Sequence, residues 1–305
     1  MIKIKNIISF LVIILVGIYI YFNHKTIYER IKETIEPPTP VIKEGNSYTK
    51  NKDYLFVKHT DTYIPYNYND LLNIYYSALD QGWDEFTFYC PKEYENCVND
   101  VATISNDEIL LSNINNYVHP FNSYSEIKTI YDDTGEVTIK VKHIYSDNDI
   151  EKINFKIDDI FNIATSSSMD NNEKLLKLHD YIVNHTIYDI NKADYDNSPY
   201  DSARMNGLLY EGYGICSAYA DIMAAMMYRL GIDNFKISSG NHVWNAVYYN
   251  NSWLHIDATW DDPVNASGAQ TLSHEYYLIT SERLKELDGQ ENGEHNYENK
   301  YYLYF

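Results

Sequence analysis

The stretch from Gly212 to Thr259 constrains this chain more than any other. GYGICSAYADIMAAMMYRLG carries Ala218, Ala220, Met223, Ala224, Ala225, Met226, Met227 and Leu230, with only Ser217, Asp221 and Arg229 breaking its apolar character. Helix-forming residues that are apolar on nearly every side predict a buried helix, and Gly231 is placed to end it. HVWNAVYY and SWLHIDAT follow, read as two strands on either side of Asn250-Asn251. That dipeptide suits a two-residue hairpin turn with positive φ angles.

The same stretch carries chemistry. Gly212 and Gly214 let the backbone turn tightly into the helix, which Cys216 opens. Free amide N–H groups and the helix macrodipole favour negative charge at such a position. Those amides can also stabilise an oxyanion. A buried core cysteine is the commoner fate of a lone Cys, so the two strands carry the rest of the argument. If Tyr249 faces Ser252 across the turn, Asp257 faces Trp244, and His242 lies two residues further on the same face. His242 and Asp257 are then diagonal neighbours, with Cβ atoms somewhat under about 7–8 Å apart. A hydrogen bond between them would orient the imidazole and leave its other nitrogen for Cys216. A one-residue slip would put the two side chains on opposite faces. His255 shares the face of Asp257 and is the second candidate base. Nucleophile Cys216, base His242 and orienting Asp257 are the parts of a cysteine-based acyl-transfer site.

The remaining sequence frames that site. The 305 residues allow an anchor plus one or two compact domains, and an apolar share of 45% is enough for a real core. A net charge of -20 excludes a nucleic-acid binder, which needs clustered Lys and Arg. Residues 7–22 are uncharged and follow Lys3 and Lys5, which predicts an uncleaved transmembrane anchor over residues 1–23 and an exported body. Residues 24–50, with Pro37, Pro38, Pro40 and Gly45, read as an extended stalk. From 51 to 165 the pattern is that of a small α/β region. It holds strand-like YLFVKH, helical NDLLNIYYSALDQG, the strand FTFYC and a helix after Pro91. A hairpin follows from runs 117–131 and 136–145 around Asp132–Gly135, then helices near 149–165 and 170–188. The catalytic region is placed at 166–305. Cys90 and Cys97 bracket a short loop and are expected to pair, leaving Cys216 as the single thiol.

GYGICSAYA, HVWNAV and WLHIDATWDDP together resemble the transglutaminase-like superfamily, a branch of the papain-like thiol enzymes, and within it bacterial surface or secreted members. The resemblance is strongest over residues 173–263, with weaker echoes in KLHDYIVNHTIYD and HEYYLIT. It implies an α+β fold whose central helix packs on an antiparallel sheet, with the family's Cys, His and Asp falling on Cys216, His242 and Asp257. It also implies an aromatic lining before the nucleophile, where Tyr200 stands. Trp244, Trp253 and Trp260 could shape a substrate groove or pack in the core, and Trp244 and Trp260 are taken with Tyr200 as substrate-binding residues. Asp261 and Asp262 read as a turn rather than a metal site, and no calcium loop is recognisable. His179, Asp180 and His185 read as structural or exposed. No cofactor or metal is expected. The expected activity is a cysteine protease or amidase acting on protein or peptide at the cell surface, held to the membrane by the N-terminal helix. The alternatives are glutamine–lysine crosslinking by a γ-glutamyltransferase and a noncatalytic module that binds peptide or glycan.

Overall fold

This computed structural model describes residues 2–35, 38–263, 271–291 and 293–305, without the side chains of 2–11, 29–35 and 290–291. The chain begins with helix α1 (Ile2–Ile35). Helix α2 (Tyr68–Asp80) starts at Asn67, whose side chain accepts the Asp70 amide, and it stops at Gly82, where φ is +69°. Strand β1 (Glu85–Tyr89) leads to helices α3 (Cys97–Asn106) and α4 (Glu108–Asn115). Strands β2 (Tyr124–Tyr131) and β3 (Glu136–His143) form the expected hairpin. Asp132 Oδ1 accepts the Thr134 amide at 2.9 Å, tightening its turn. Helices α5 (Asp147–Ala164) and α6 (Asn171–His185) both open on capping boxes, Ser146 with Asp149 and Asp170 with Glu173.

Strand β4 (Ile187–Tyr188), helix α7 (Ile190–Tyr195) and strand β5 (Tyr213–Gly214) precede helix α8 (Cys216–Arg229). Then come β6 (Asn234–Ser238), β7 (Val243–Tyr249), β8 (Ser252–Ile256), β9 (Tyr277–Ile279) and helix α9 (Ser281–Glu291). The sheets are β1-β3-β2, the short parallel pair β4-β5, and the antiparallel β6-β7-β8-β9. The fold is α+β.

The four-stranded sheet is covered on both faces, because its side chains alternate. Phe235, Ile237, Trp244 and Ala246 point into a core shared with Tyr54, Tyr117 and Val137. Val247 and Ile256 point the other way, against Ile153, Leu178, Ile222, Met223 and Met226 of α5, α6 and α8. Each fully buried aliphatic side chain of this kind contributes about 1.5–3 kcal/mol. The two cores therefore cross the expected division at 165/166. Part of the 51–165 region backs the sheet that carries His242, while α5 packs beside α8.

Two sequence expectations need correction here, and a third gains no support. YLFVKH forms no strand; Tyr54 and Val57 are buried as anchors of an irregular segment, with the Tyr54 amide donating to the Val57 carbonyl at 2.8 Å. The stalk is not extended throughout, since α1 continues to Ile35. At the other end of the stalk, Asn46 Nδ2 donates to Asn122 Oδ1 at 2.8 Å and Tyr48 stacks on His119, so these residues belong to the body. Finally, among the described residues no helix is long and apolar enough to cross a membrane, so the anchor over residues 1–23 gains no support. The apolar side chains described in α1 run from Val12 to Phe22. The rest of the predicted span lies among residues 1–11, whose side chains are outside the described set.

Candidate active site

The site is assembled where α8 meets the ends of β7 and β8. Two glycines set the entry to the helix. Gly212 adopts φ +75°, and a Cβ on Gly214 would meet the Tyr219 ring at 3.0 Å and Leu208 at 3.1 Å. Cys216 is the first residue of α8 and a free, partly exposed cysteine. No side chain caps this helix, as Ile215 occupies the cap position with extended backbone, so its first amides have no side-chain acceptor. The next side chain, Ser217, donates to the Ala203 carbonyl at 2.8 Å.

The hairpin has the register expected from sequence. Tyr249 pairs with Ser252 and Asn245 with Ile256, and Asn250 and Asn251 adopt φ +48° and +63°. Continued by one step, this register puts Asp257 beside Trp244 and within reach of His242. His242 Nε2 meets Asp257 Oδ2 at 2.5 Å, and both residues are buried. Cys216 stands near the same imidazole and adds to the influences that raise it. With Nε2 engaged by Asp257, Nδ1 is the nitrogen that remains for the sulfur. Asp257 is held from its other oxygen too, because Oδ1 accepts the Thr259 and Trp260 amides at 2.9 and 3.2 Å.

Burial alone disfavours a charged His242, but the Asp257 charge and hydrogen bond outweigh it and raise the imidazole to about 10. Burial likewise opposes the Asp257 carboxylate, and the two histidines beside it hold its pKa far below the usual carboxylate range. The pair is therefore an imidazolium and a carboxylate across neutral pH.

One member of this arrangement was not legible beforehand. His295 Nε2 meets Asp257 Oδ2 at 2.9 Å, and its Nδ1 meets Asp288 Oδ1 at 2.7 Å. His295 lies in the segment after α9, and no period or spacing ties it to Asp257. The only signal is a histidine in a polar tail. Tyr188 was also missed; burial and then the nearby Cys216 raise its phenol to about 12.

The other predicted residues fall out differently. His255 is not placed as a base. Trp244 Nε1 donates to its Nδ1 at 3.1 Å and Ser281 Oγ lies 3.0 Å from its Nε2, while burial lowers it to about 3. Trp244 is 1% exposed and packs among His242, His255 and His295, so the expectation that it binds substrate is corrected: it is core. Trp260 is partly exposed and stands edge-on to the His242 ring at 6.4 Å. Tyr200 is exposed and stacks on Tyr213 at 3.8 Å, two residues ahead of Gly214's successor Ile215. Trp253 packs on Phe235 and Tyr304, away from the triad. Asp261 and Asp262 lie in a turn, as read from the sequence, and both are buried. Asp262 accepts the Tyr219 hydroxyl at 2.5 Å, and burial raises it to about 6.

Among the described residues, two clusters could hold a metal ion. The ligand atoms of His242, Asp257 and His295 lie within 4.8 Å of one another, as do those of His179, Asp180 and His274. Hydrogen bonds at 2.5 and 2.9 Å account for the first cluster without an ion.

Comparison with known proteins adds the following. Residues 159–258 match the core model of the transglutaminase-like superfamily. No curated protein matches the chain by sequence. Among solved structures, a TGase is similar at 16% identity and TM-score 0.31, over 45% of this chain and 45% of that one. A candidate cysteine protease from Cytophaga hutchinsonii is similar at 16% identity and TM-score 0.26, over 44% of this chain and 61% of that one. The chain thus spans 45% and 61% of the lengths of those two structures. Residues 159–258, which include Cys216, His242 and Asp257, are thus the part of this chain that is similar to the transglutaminase-like superfamily.

Proposed function

We propose that the chain is a thiol acyl-transfer enzyme that cleaves carboxamide or peptide bonds, with Cys216 as nucleophile, His242 as acid and base, and Asp257 as the orienting carboxylate. The observation that carries this reading is the buried His242–Asp257 pair, at 2.5 Å, set against a free thiol at an uncapped helix start. In this reading Cys216 attacks as the thiolate, with its proton held on His242. The sulfur attacks the carbonyl carbon, and charge developing on oxygen is met by the Cys216 and Ser217 amides that open α8. His242 then gives its proton to the departing ammonia or amine, leaving an acyl-thioester and a neutral imidazole. In the second half, His242 takes a proton from the attacking water or amine, and the thiolate departs. Water yields hydrolysis, and a lysine amine yields an isopeptide. Hydrolysis is the reading adopted here. Tyr200 on its Tyr213 platform and the partly exposed Trp260 are the substrate-contacting aromatics of this reading, with peptide or protein as the substrate class.

The test uses a glutamine-containing peptide with and without a primary amine, with products identified by mass. Deamidation or cleavage that disappears in Cys216→Ala supports hydrolysis, and an amine adduct assigns crosslinking instead. Turnover undiminished in Cys216→Ala would remove the catalytic assignment. The Cys90–Cys97 disulfide supports a body located outside the cytoplasm, where such bridges persist. Recovery of the native protein from cells with both of these cysteines reduced would overturn that location.

A further inference from the structure

A second constellation of histidine and carboxylate lies outside the triad, between α6 and the segment that leads into β9. His179 is fully buried on α6. Its Nδ1 faces Asp180 Oδ1 at 3.4 Å, too long for a strong contact. Its Nε2 faces Asp261 Oδ2 at 3.1 Å, yet the two atoms lack hydrogen-bond alignment and both count among the buried polar atoms without a partner. Buried polar atoms are nearly always satisfied, so a ring held at long range by one carboxylate and out of line with the other calls for an explanation. Across the same carboxylate, His274 Nε2 lies 2.7 Å from Asp180 Oδ1.

We propose that His179, Asp180 and His274 form a binding site for a divalent transition-metal ion of the zinc type. The three ligand atoms lie within 4.8 Å of one another, and two imidazoles with one carboxylate are a donor set that such ions favour. Metal at Nδ1 of His179 leaves Nε2–H to donate to Asp261, whose Oδ1 is already fixed by the Tyr276 amide at 3.0 Å. A carboxylate behind a ligating histidine is the usual way the ring is oriented and its tautomer set. A small rotation of the His179 ring would align that contact and satisfy both orphaned atoms. The ion would pin α6 to the chain that runs on from the triad aspartate, since the Asp261 amide donates to the Asp257 carbonyl at 3.1 Å and the Ser273 amide to the Asp261 carbonyl at 2.9 Å.

The tag-free full chain, stripped with chelator, is titrated with cobalt(II) followed by absorbance, with zinc as competitor, and its thermal midpoint is read with and without zinc. One equivalent should bind with the ligand-field spectrum of a nitrogen–oxygen site, and saturating zinc should raise the midpoint by about 5 °C. His274→Ala, at a half-exposed position that can be truncated without unfolding the core, should weaken binding at least about tenfold and abolish the thermal shift. Absence of binding by either ion, or affinity unchanged in His274→Ala, would overturn the site. So would a thiolate-to-cobalt charge-transfer band that vanishes in Cys216→Ala, because it would place the ion at the cysteine.

Discussion

His295 shares with His242 a single carboxylate oxygen, Oδ2 of Asp257, at 2.9 Å and 2.5 Å respectively. The orienting aspartate is thus held by two imidazoles that meet nearly at right angles, and His295 is itself anchored by Asp288 at 2.7 Å. Both ring nitrogens of His295 are engaged by carboxylates, so it positions the residue that positions the base.

Replacing His295 by Ala should lower kcat about tenfold with little change in KM, and should destabilise the fold by about 1–3 kcal/mol by leaving a buried carboxylate oxygen short of a donor. His295→Gln, which retains an N–H donor, should recover part of both. Steady-state kinetics with urea unfolding of the same variants checks this; a purely structural role would move stability while leaving kcat intact.

The raised imidazole makes a signed prediction. His242 is lifted from 6.5 to about 10, so its contribution to stability is complete below pH 6.5 and is lost as pH climbs toward about 10. Asp257 is depressed, so its contribution is present above the ordinary carboxylate value of 3.8 and is lost as pH falls below it. Unfolding midpoints should therefore hold a plateau from about pH 4 to 6.5 and decline on both sides. In Asp257→Asn the decline above pH 6.5 should flatten. The alkaline limb of turnover, which reports loss of the His242 proton, should move from near pH 10 toward neutrality, with a small residual rate.

Lys236 on β6 and Asp221 on α8 form a buried ion pair at 2.6 Å, and Tyr145 donates to the other Asp221 oxygen at 2.9 Å. Asp221→Ala should cost about 3–5 kcal/mol, because it strands a buried ammonium between helix and sheet. The double variant Asp221→Leu/Lys236→Met should recover much of that loss. Guanidinium denaturation of the three proteins decides the matter, and equal losses in single and double variants would count against the pair.

Thiol titration of the denatured, unreduced protein should find one free cysteine, Cys216, with Cys90 and Cys97 joined. The loop they close is short, so Cys90→Ser with Cys97→Ser should lower stability by about 2–3 kcal/mol and leave the reactivity of Cys216 toward iodoacetamide unchanged. A titre of three thiols would contradict the structure.

Much of the site was legible because its encoding is local. The alternation of HVWNAVYY and SWLHIDAT, with a turn that demands positive φ at Asn250 and Asn251, sets which side chains share a face, and the observed register follows from it. Cys216 at a helix start follows from the glycines before it and the helix formers after it. YLFVKH misled because its apolar residues satisfy burial in an irregular segment as well as they would in a strand. Trp244 misled in the other direction. Its register was right, but the same face of β7 that presents His242 to the site is covered by Tyr297 and His295 one pair further along.

The sequence by itself determined the helix with its leading cysteine, the hairpin register that joins His242 to Asp257, and the short disulfide, since each depends on residues near one another along the chain. Only the tertiary structure decided that His295 and Asp288 complete the aspartate's environment, that His255 and Trp244 are core, and that His179, Asp180, Asp261 and His274 converge. Those contacts depend on how separate segments pack against a shared sheet, and no periodicity within a segment specifies which distant side chain will stand opposite it.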